Sequence, residues 1–327
     1  MTILVRMRLI ALVLCFNLAL AGEYKLVQKF PVELLRTFKG GAPNAEGLVG
    51  SNKAGFKDAG SQRSTMETLI LGAAFGEQTW VDQGIKVIKT TYAQQRNGGN
   101  FGQGNGDGVT SVALWTAEVS RALLVLDESK HYKEERAQTK QYYSEIKRSL
   151  RYLSRNFAKI TADPRSTSRL LACANAFALG AKLVEDPSFF EYAEKLLDLA
   201  LSQYDPKTGI FPENSSYDSS YQALSLTRLA QFYLHYPSYQ TERIQGILHK
   251  GMAWQISRIK EDGTVLATGN TRTGLNQETD SKGKPKEISY KEVLRATLYH
   301  NLLFRDRASA EAADRVYEKM RTLQAIR

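Results

Sequence analysis

A short glycine-containing loop sequence recurs along this chain: Asn52-Lys53-Ala54-Gly55-Phe56-Lys57-Asp58, Asn97-Gly98-Gly99-Asn100-Phe101, Lys207-Thr208-Gly209-Ile210-Phe211 and Glu261-Asp262-Gly263-Thr264-Val265. Each copy belongs to a long polar loop, which is followed by an apolar helical stretch, a very short connection and a second helical stretch. Units of about fifty residues with this layout are typical of an array of helical hairpins. If consecutive hairpins pack side by side, the long loops 38–63, 96–108, 205–219 and 261–286 gather on one face. Any functional site is expected there.

Helical periodicity of apolar residues is strong, and the alternation typical of strands is nearly absent. The pattern predicts helices over residues 31–38, 64–76, 79–95, 109–127, 134–158, 166–184, 187–204, 219–236, 240–260, 287–304 and 308–324. Ser64 with Glu67 has the spacing of a capping box. The first helix of each pair is the more apolar, which indicates an inner and an outer layer. The sequence therefore predicts an all-α fold, an incomplete α/α toroid of about five helical hairpins, as a single domain over residues 22–327.

The first 21 residues have the composition of a secretory signal peptide. Arg6 and Arg8 precede an apolar run, and Ala19-Leu20-Ala21 is a small-residue cleavage site before Gly22. We expect a periplasmic or secreted mature chain that begins at or near Gly22, with no integral membrane segment after cleavage. Its formal charge would fall from +10 to +8, because two basic residues and no acidic residue are lost. Cys173 would be the remaining cysteine, and its apolar neighbours predict a small buried side chain.

The positive charge is concentrated between Lys130 and Arg169, where there are eleven basic and four acidic residues. Arg148, Arg151 and Arg155 form a stripe away from the apolar face of the helix predicted there. A solvated outer face explains this stripe. The alternative is a contact with a polyanion or a membrane surface.

The densest polar segment, residues 211–222, runs into a predicted helix and contains Glu213, Asn214, Tyr217, Asp218, Tyr221 and Gln222. Asp218 is well placed to cap that helix. The two phenols and the amide side chains exceed what a turn requires. Tyr221 lies in the first helical turn, so its side chain should point back toward the loops.

Two further polar segments are candidates. Residues 267–280 contain Asn270, Arg272 and Glu278, and Arg272 could clamp a carboxylate through two parallel hydrogen bonds. Residues 94–108 are rich in glycine and contain Asn105 and Asp107. Trp115 follows this segment and is either a sugar-stacking platform or a core side chain.

Several other chemistries have no sequence support. The four histidines at 131, 235, 249 and 300 are scattered, and the chain has no paired metal-ligand spacing, phosphate loop or Gly-x-Ser-x-Gly elbow. His235 and His300 fall late in their helices and are expected to be structural. We predict no metal, no cofactor, no nucleic-acid partner and a monomeric protein.

The hairpin array over residues 60–325, the predicted signal peptide and the Gly-x-Phe loops resemble α/α-toroid carbohydrate-active enzymes. These are the alginate lyases, the helical domains of hyaluronate and chondroitin lyases, and the six-hairpin glycosidases. The likeness is greatest at Gly209-Ile210-Phe211-Pro212-Glu213 with Tyr217 and Tyr221. In the lyases a tyrosine commonly serves as acid and base, while Asn, His and Arg neutralise a uronate carboxylate. The resemblance implies such roles for Tyr217 or Tyr221, for Asn214 or Asn105, and for Arg272.

The chemistry of two reactions agrees with this inventory. β-Elimination next to a uronate carboxylate needs neutralisation of that carboxylate, a base, and an acid for the leaving oxygen. Hydrolysis needs two carboxyl groups about 5 to 10 Å apart, and the candidates for these are Glu213, Asp218, Asp107 and Glu278.

We therefore predict a secreted or periplasmic polysaccharide lyase whose partner is an anionic, uronate-containing polysaccharide or oligosaccharide. The candidate catalytic residues are Tyr221, Tyr217, Glu213 and Asp218, and the candidate substrate-binding residues are Asn105, Asp107, Trp115, Asn214, Gln222, Asn270, Arg272 and Glu278. The alternatives are a glycoside hydrolase on the same toroid and a non-catalytic protein that binds glycans or the cell envelope.

Overall fold

A computed structural model of the chain describes residues 22–102, 108–214, 216–274, 277–279 and 283–325. Its α-helices are α1 Glu23–Val27, α2 Val32–Phe38, α3 Ser64–Phe75, α4 Gln78–Tyr92, α5 Gly108–Glu128, α6 Lys133–Thr139, α7 Tyr143–Arg155, α8 Phe157–Thr161, α9 Thr167–Leu183, α10 Phe190–Ser202, α11 Ser219–His235, α12 Thr241–Ser257, α13 Tyr290–Phe304 and α14 Arg307–Ala325. Extended pairing within the described ranges is limited to isolated bridges. The predicted all-α character is confirmed. The predicted signal peptide lies outside the described residues.

The helices differ from the prediction at two places. The five-residue helix α1 was missed, because so short a segment shows no periodicity. The helix predicted over residues 134–158 is instead divided into α6, a short 3-10 turn, α7 and α8. The division after α7 falls at Asn156, whose side-chain Nδ2 donates to the Tyr152 carbonyl at 2.9 Å. Asparagine competes for backbone hydrogen-bonding groups in this way and so tends to interrupt helices.

The chain divides into two compact units. The larger unit comprises Gly22–Tyr204 and Arg228–Ile244, and the smaller unit comprises the described residues of Asp205–Thr227 and 245–325. That residues 22–327 act as one domain, with all four long loops on one face, remains a prediction.

In the larger unit, the first helix of each hairpin is the more buried one. Helices α3, α5 and α9 are buried on nearly all sides, whereas α4, α7 and α10 each bury one face. Cys173 lies in α9 and is buried, as predicted. Among the described helices, only α5 is long and apolar enough to cross a membrane, and 78% of its apolar window is buried within the protein. Such burial is typical of a core helix.

A buried charge network lies among these helices. Arg121 is 1% exposed and donates to Glu23 at 2.8 Å, to Glu67 at 3.0 Å and to Glu118 at 2.7 Å. His235 reaches the second oxygen of Glu23 at 2.8 Å. The predicted capping box at Ser64 is therefore wrong: α3 begins without a side-chain cap, and Glu67 pairs with Arg121 instead. Buried charges require such partners, because desolvation otherwise strongly disfavours them.

The recurring glycine loop has the same hydrogen bonds at each of its copies. Its glycine has a positive φ, and the N–H of this glycine donates to the carbonyl of a residue three or four positions earlier. The N–H of that earlier residue donates to the carbonyl of the residue after the glycine. The pairs are Asn44 with Gly47, Arg96 with Gly99, Asp205 with Gly209, and Lys260 with Gly263. Two residues after the glycine an apolar side chain is buried: Val49, Phe101, Phe211 and Val265. The first copy is thus centred on Gly47. The stretch Asn52–Asp58 was predicted as a copy, and this prediction is wrong. It begins in a 3-10 turn, and the Asn52 side chain donates to the Asp58 carbonyl and accepts from the Lys57 N–H.

Because the glycines of these loops have no side chain, the loops lie directly against the second helix of the following hairpin. A Cβ atom on Gly99 would lie 2.2 Å from the Arg148 carbonyl oxygen of α7, and one on Gly263 would lie 2.0 Å from that of Arg315 in α14. Glycine is therefore required both by the conformation and by the close approach.

Replacing Gly99 by alanine should destabilise the protein by about 3 kcal/mol or more, because the left-handed conformation disfavours alanine by about 1–2 kcal/mol and the Cβ clashes with backbone. Gly76→Ala is the matched control, since Gly76 has φ of 80° but nothing lies within 4 Å of its Cβ position. Urea unfolding measures both variants. Equal losses would contradict the close-approach explanation.

In the smaller unit, α13 packs on α14 through a buried histidine. His300 Nδ1 lies 2.8 Å from Ser309 Oγ, and its Nε2 lies 3.1 Å from His249 Nδ1. Burial and the neighbouring His249 lower the pKa of His300 from 6.5 to about 4. His300 is thus neutral in the folded protein at neutral pH, which agrees with the predicted structural role.

This lowered pKa predicts acid sensitivity of the fold. Between pH 6.5 and 4 the unfolded chain binds a proton at His300 that the folded chain does not, so stability should fall as the pH decreases through this window, by about 3 kcal/mol in total. Urea unfolding at a series of pH values should show a smaller decline for His300→Gln than for the wild type. Parallel curves for the two proteins would refute the assignment.

Candidate functional site

Two of the three predicted polar segments meet in the smaller unit. They are the loop before α11, residues 205–218, and the loop before α13, residues 258–289. The N–H of Thr271 donates to the Tyr217 carbonyl at 3.0 Å, and its hydroxyl donates to the Glu213 carbonyl at 2.8 Å. The two loops therefore form one surface.

Asp218 joins the two loops. Its Oδ1 accepts from the N–H groups of Ser220 at 2.9 Å and Tyr221 at 3.2 Å, which confirms its predicted position as cap of α11. Its Oδ2 accepts from the N–H groups of Arg272 at 3.0 Å and Thr273 at 2.7 Å, and from the Thr273 hydroxyl at 2.9 Å. Because Asp218 is fully buried and both oxygens are occupied, we infer that it positions the site instead of serving as a catalytic acid.

Two residues that were predicted to contact the substrate, Asn270 and Gln222, are buried, and their amide side chains form hydrogen bonds with backbone groups. Asn270 accepts from the Ser219 N–H at 3.1 Å and donates to the Thr273 hydroxyl at 2.8 Å. Gln222 accepts from the Phe211 N–H at 2.8 Å and donates to the Gly209 carbonyl at 3.0 Å. Their side chains are therefore turned away from any substrate, and the expectation of direct binding is corrected.

Gln62 in the larger unit makes the same pair of contacts as Gln222. It accepts from the Val49 N–H at 2.8 Å and donates to the Gly47 carbonyl at 3.2 Å. This equivalence identifies Gln222 as part of the repeated loop structure.

Two other predicted residues lie at the surface. Asn214 is exposed, has φ of 64° and occupies the turn of the Glu213–Ser216 bridge, a conformation that asparagine tolerates. Tyr217 is half-buried, donates to the Thr268 carbonyl at 3.1 Å and packs edge-on against Trp254. The turn thus explains the presence of Asn214, and packing against Trp254 explains the position of Tyr217.

Arg272 and Tyr221 form the centre of the site. The guanidinium carbon lies 3.9 Å from the centre of the Tyr221 ring. Arg272 Nη1 donates to Glu213 at 2.5 Å, and Nε donates to Glu278 at 2.7 Å. No hydrogen bond from Nη2 to the described residues is present.

Lys286 completes this group. Its Nζ lies 2.6 Å from the Tyr221 hydroxyl and 2.8 Å from Glu278 Oε2. Sequence reasoning missed this residue, because a lysine in the run Lys284-Pro285-Lys286 has the appearance of a solvated loop charge. The only available signal was its membership of the same polar loop as Arg272.

The ionisation of this group is fixed by its contacts. Burial works against the charge of Glu278, yet hydrogen bonds from Arg272 and Lys286 lower the pKa of this carboxyl. Burial likewise opposes the charges of Arg272 and Lys286, and their hydrogen bonds raise the pKa of each. All three groups are therefore ionised at neutral pH.

The third predicted segment contributes no exposed aromatic side chain. Trp115 is fully buried, with its ring edge-on to Tyr92 at 5.9 Å between ring centres, so the prediction of a sugar-stacking platform is wrong. The reason is that α5 is a core helix on nearly every face. Asn105 and Asp107 lie outside the described residues. Within the described ranges, no three His, Cys, Asp or Glu side chains are grouped so as to hold a metal ion.

No protein-family model matches the chain, and no curated protein matches its sequence. Among solved structures, the chain is similar to the chondroitin AC lyase of Streptomyces coelicolor, determined in complex with chondroitin sulphate, with a TM-score of 0.51 and 14% sequence identity. The match covers 89% of this chain and 40% of that lyase, so the chain spans less than half the length of its structural neighbour. At this identity the likeness concerns the fold. It confirms the predicted class, an α/α toroid of helical hairpins.

Asp218→Ala should lower the free energy of unfolding by about 3 kcal/mol, because it removes a helix cap and leaves several buried donors without an acceptor. Amide exchange at Arg272 and Thr273 should accelerate with it. Asp262→Ala is the control: Asp262 accepts comparable hydrogen bonds from Thr264 but is 60% exposed, so its loss should matter much less. Unchanged amide exchange in the loop after Asp218→Ala would show that Asp218 does not position Arg272.

Proposed function

We propose that this protein is a polysaccharide lyase that cleaves a uronate-containing polysaccharide by β-elimination, with Tyr221 as the acid and base. The observation that carries the proposal is the placement of the Tyr221 hydroxyl 2.6 Å from Lys286 Nζ, with the Arg272 guanidinium over the same ring. Tyr221 is partly exposed and lies in the first turn of α11, beside the surface that the two loops form.

The reaction removes the proton on the carbon next to the uronate carboxylate. The electron pair of that C–H bond forms a carbon–carbon double bond, and the bond to the glycosidic oxygen breaks. The leaving oxygen takes up a proton. The Tyr221 phenolate accepts that proton, and the resulting phenol donates it to the leaving oxygen, which regenerates the phenolate. Lys286 and Arg272 stabilise the phenolate before the first transfer and after the second.

The uronate carboxylate must be neutralised before its neighbouring proton becomes acidic. Arg272 offers Nη2 for this purpose, while Glu213 and Glu278 hold its other nitrogens in place. Donors fixed before the substrate arrives stabilise developing charge without reorganisation. Glu213, 1% exposed, is thus a positioning residue for Arg272.

The site is less suited to hydrolysis. A glycosidase needs one carboxyl group that stays protonated, and its pKa must therefore be raised. Glu278 is instead held ionised by two cations, and Glu213 accepts from the same arginine. This contrast favours elimination over the hydrolase alternative.

The structural neighbour supports the choice of substrate class, because it is a lyase bound to an acidic polysaccharide. The exported location proposed from residues 1–21 would bring the enzyme to such polymers. Asn214 remains a candidate substrate contact and Tyr217 a candidate catalytic residue at the edge of the site, and the monomeric state remains a prediction.

Tyr221→Phe should reduce turnover of the cleaved uronate polymer by about 10²–10⁴-fold, because a positioned proton donor is lost. Unfolding stability should change little. The assay follows the ultraviolet absorbance of the conjugated unsaturated uronate, a product that elimination forms and hydrolysis does not. Tyr239→Phe, which removes a phenol hydrogen-bonded to Asp198 in the larger unit, is the control and should retain full activity.

The outcomes separate the alternatives. A stable and fully active Tyr221→Phe protein would exclude Tyr221 as acid and base. New reducing ends without the unsaturated chromophore would identify a hydrolase. Saturable binding of acidic glycans without any cleavage by the wild type would identify a binding protein.

A further inference from the structure

The residue that follows the predicted cleavage site lies against a carboxylate. A Cβ atom built on Gly22 would lie 2.3 Å from Glu128 Oε1 and 2.4 Å from Oε2. The carboxylate of Glu128 therefore occupies the space beside the Gly22 Cα, where any other side chain would displace it. The α-nitrogen of Gly22 is bonded to the same Cα, so bond geometry places it within about 5 Å of these oxygens.

The chain directly after Gly22 is firmly held. Glu23 and Val27 are fully buried, and the Glu23 carboxylate bonds to Arg121 and His235 in the network described above. The Tyr24 N–H donates to the Glu128 carboxylate. The position of the Gly22 nitrogen is therefore determined by the core of the larger unit.

Glu128 lies among groups of both signs of charge. The carboxylate is faced by His235, Lys182 and Glu23, and by the start of α1. Burial and the negative charge of Glu23 raise the pKa of Glu128 despite the two basic neighbours. An ammonium group on Gly22 would supply a positive charge beside this carboxylate.

We propose that cleavage after Ala21 leaves an α-ammonium group on Gly22 that forms an ion pair with Glu128 and anchors the amino end of the mature chain. Glu128 is an exposed residue, so the pair contributes little to overall stability. The reactivity of the amine is the more sensitive measurement. The inference rests on the predicted cleavage and is independent of the proposed enzymatic activity.

The test uses protein that starts at Gly22, released from a fusion partner by a protease that leaves no extra residue. Acylation of the α-amine at pH 7 is followed by mass spectrometry of the amino-terminal peptide. An ion pair that raises the amine pKa by about one unit makes the wild type react about tenfold more slowly than Glu128→Gln. Glu134→Gln, an exposed glutamate of the same unit, should behave as the wild type. High salt should reduce the difference if the pair is solvent-accessible.

A chain that retains Ala21 gives a second comparison. Its amine is displaced by one residue, so Glu128→Gln should leave the acylation rate unchanged in that background. Equal rates for wild type and Glu128→Gln in the Gly22-start protein, with unchanged near-ultraviolet circular dichroism, would overturn the proposal. An exported protein whose first residue is not Gly22 would overturn it as well.

Discussion

The carboxylate of Asp218 is the constraint on which the candidate site depends. One of its oxygens caps α11, and the other accepts from the backbone of Arg272 and Thr273. These contacts fix a helix start and a loop more than fifty residues away in the sequence with the same group. Tyr221 is held in the first turn of that helix and Arg272 in that loop. The distance between the phenol and the guanidinium therefore depends on the buried Asp218 side chain, both oxygens of which accept hydrogen bonds. Pre-organised sites require such support, because a displacement of about 1 Å can greatly reduce catalysis.

The repeated glycine loop explains which polar residues are available for function. Gln62 and Gln222 make equivalent contacts in two copies of the loop, and the glycines of all copies approach a helix backbone. These residues maintain the array of hairpins. Tyr221, Arg272 and Lys286 have no counterpart in that shared set of contacts. A repeated scaffold thus carries a site formed by what is added to one pair of its loops.

The helices could be predicted from the sequence because their periodicity is local, whereas the site depends on contacts distant along the chain. The amide of Asn270 is used by Ser219, 51 positions away, which a reading of the 267–280 segment by itself could not reveal. Trp115 shows the same limit: its apolar surroundings come from Tyr92, on another helix. Lys286 was missed because nothing in the neighbouring sequence distinguishes an ordered lysine from a solvated one. Arg272 was identified because its loop is long for a connection inside a compact domain and because a guanidinium can clamp a carboxylate.

The balance of charge in the site has a consequence for how a substrate would bind. Two basic side chains, Arg272 and Lys286, are paired with two glutamates, Glu213 and Glu278. Glu213 is 1% exposed and bonds to Arg272, whereas Glu278 is 37% exposed and bridges both cations. Of the two glutamates that hold Arg272, Glu278 is therefore the one nearer to solvent. Under the proposed function, the uronate carboxylate binds at Arg272 Nη2, while Glu213 and Glu278 keep the other guanidinium nitrogens in position and Glu278 also holds Lys286.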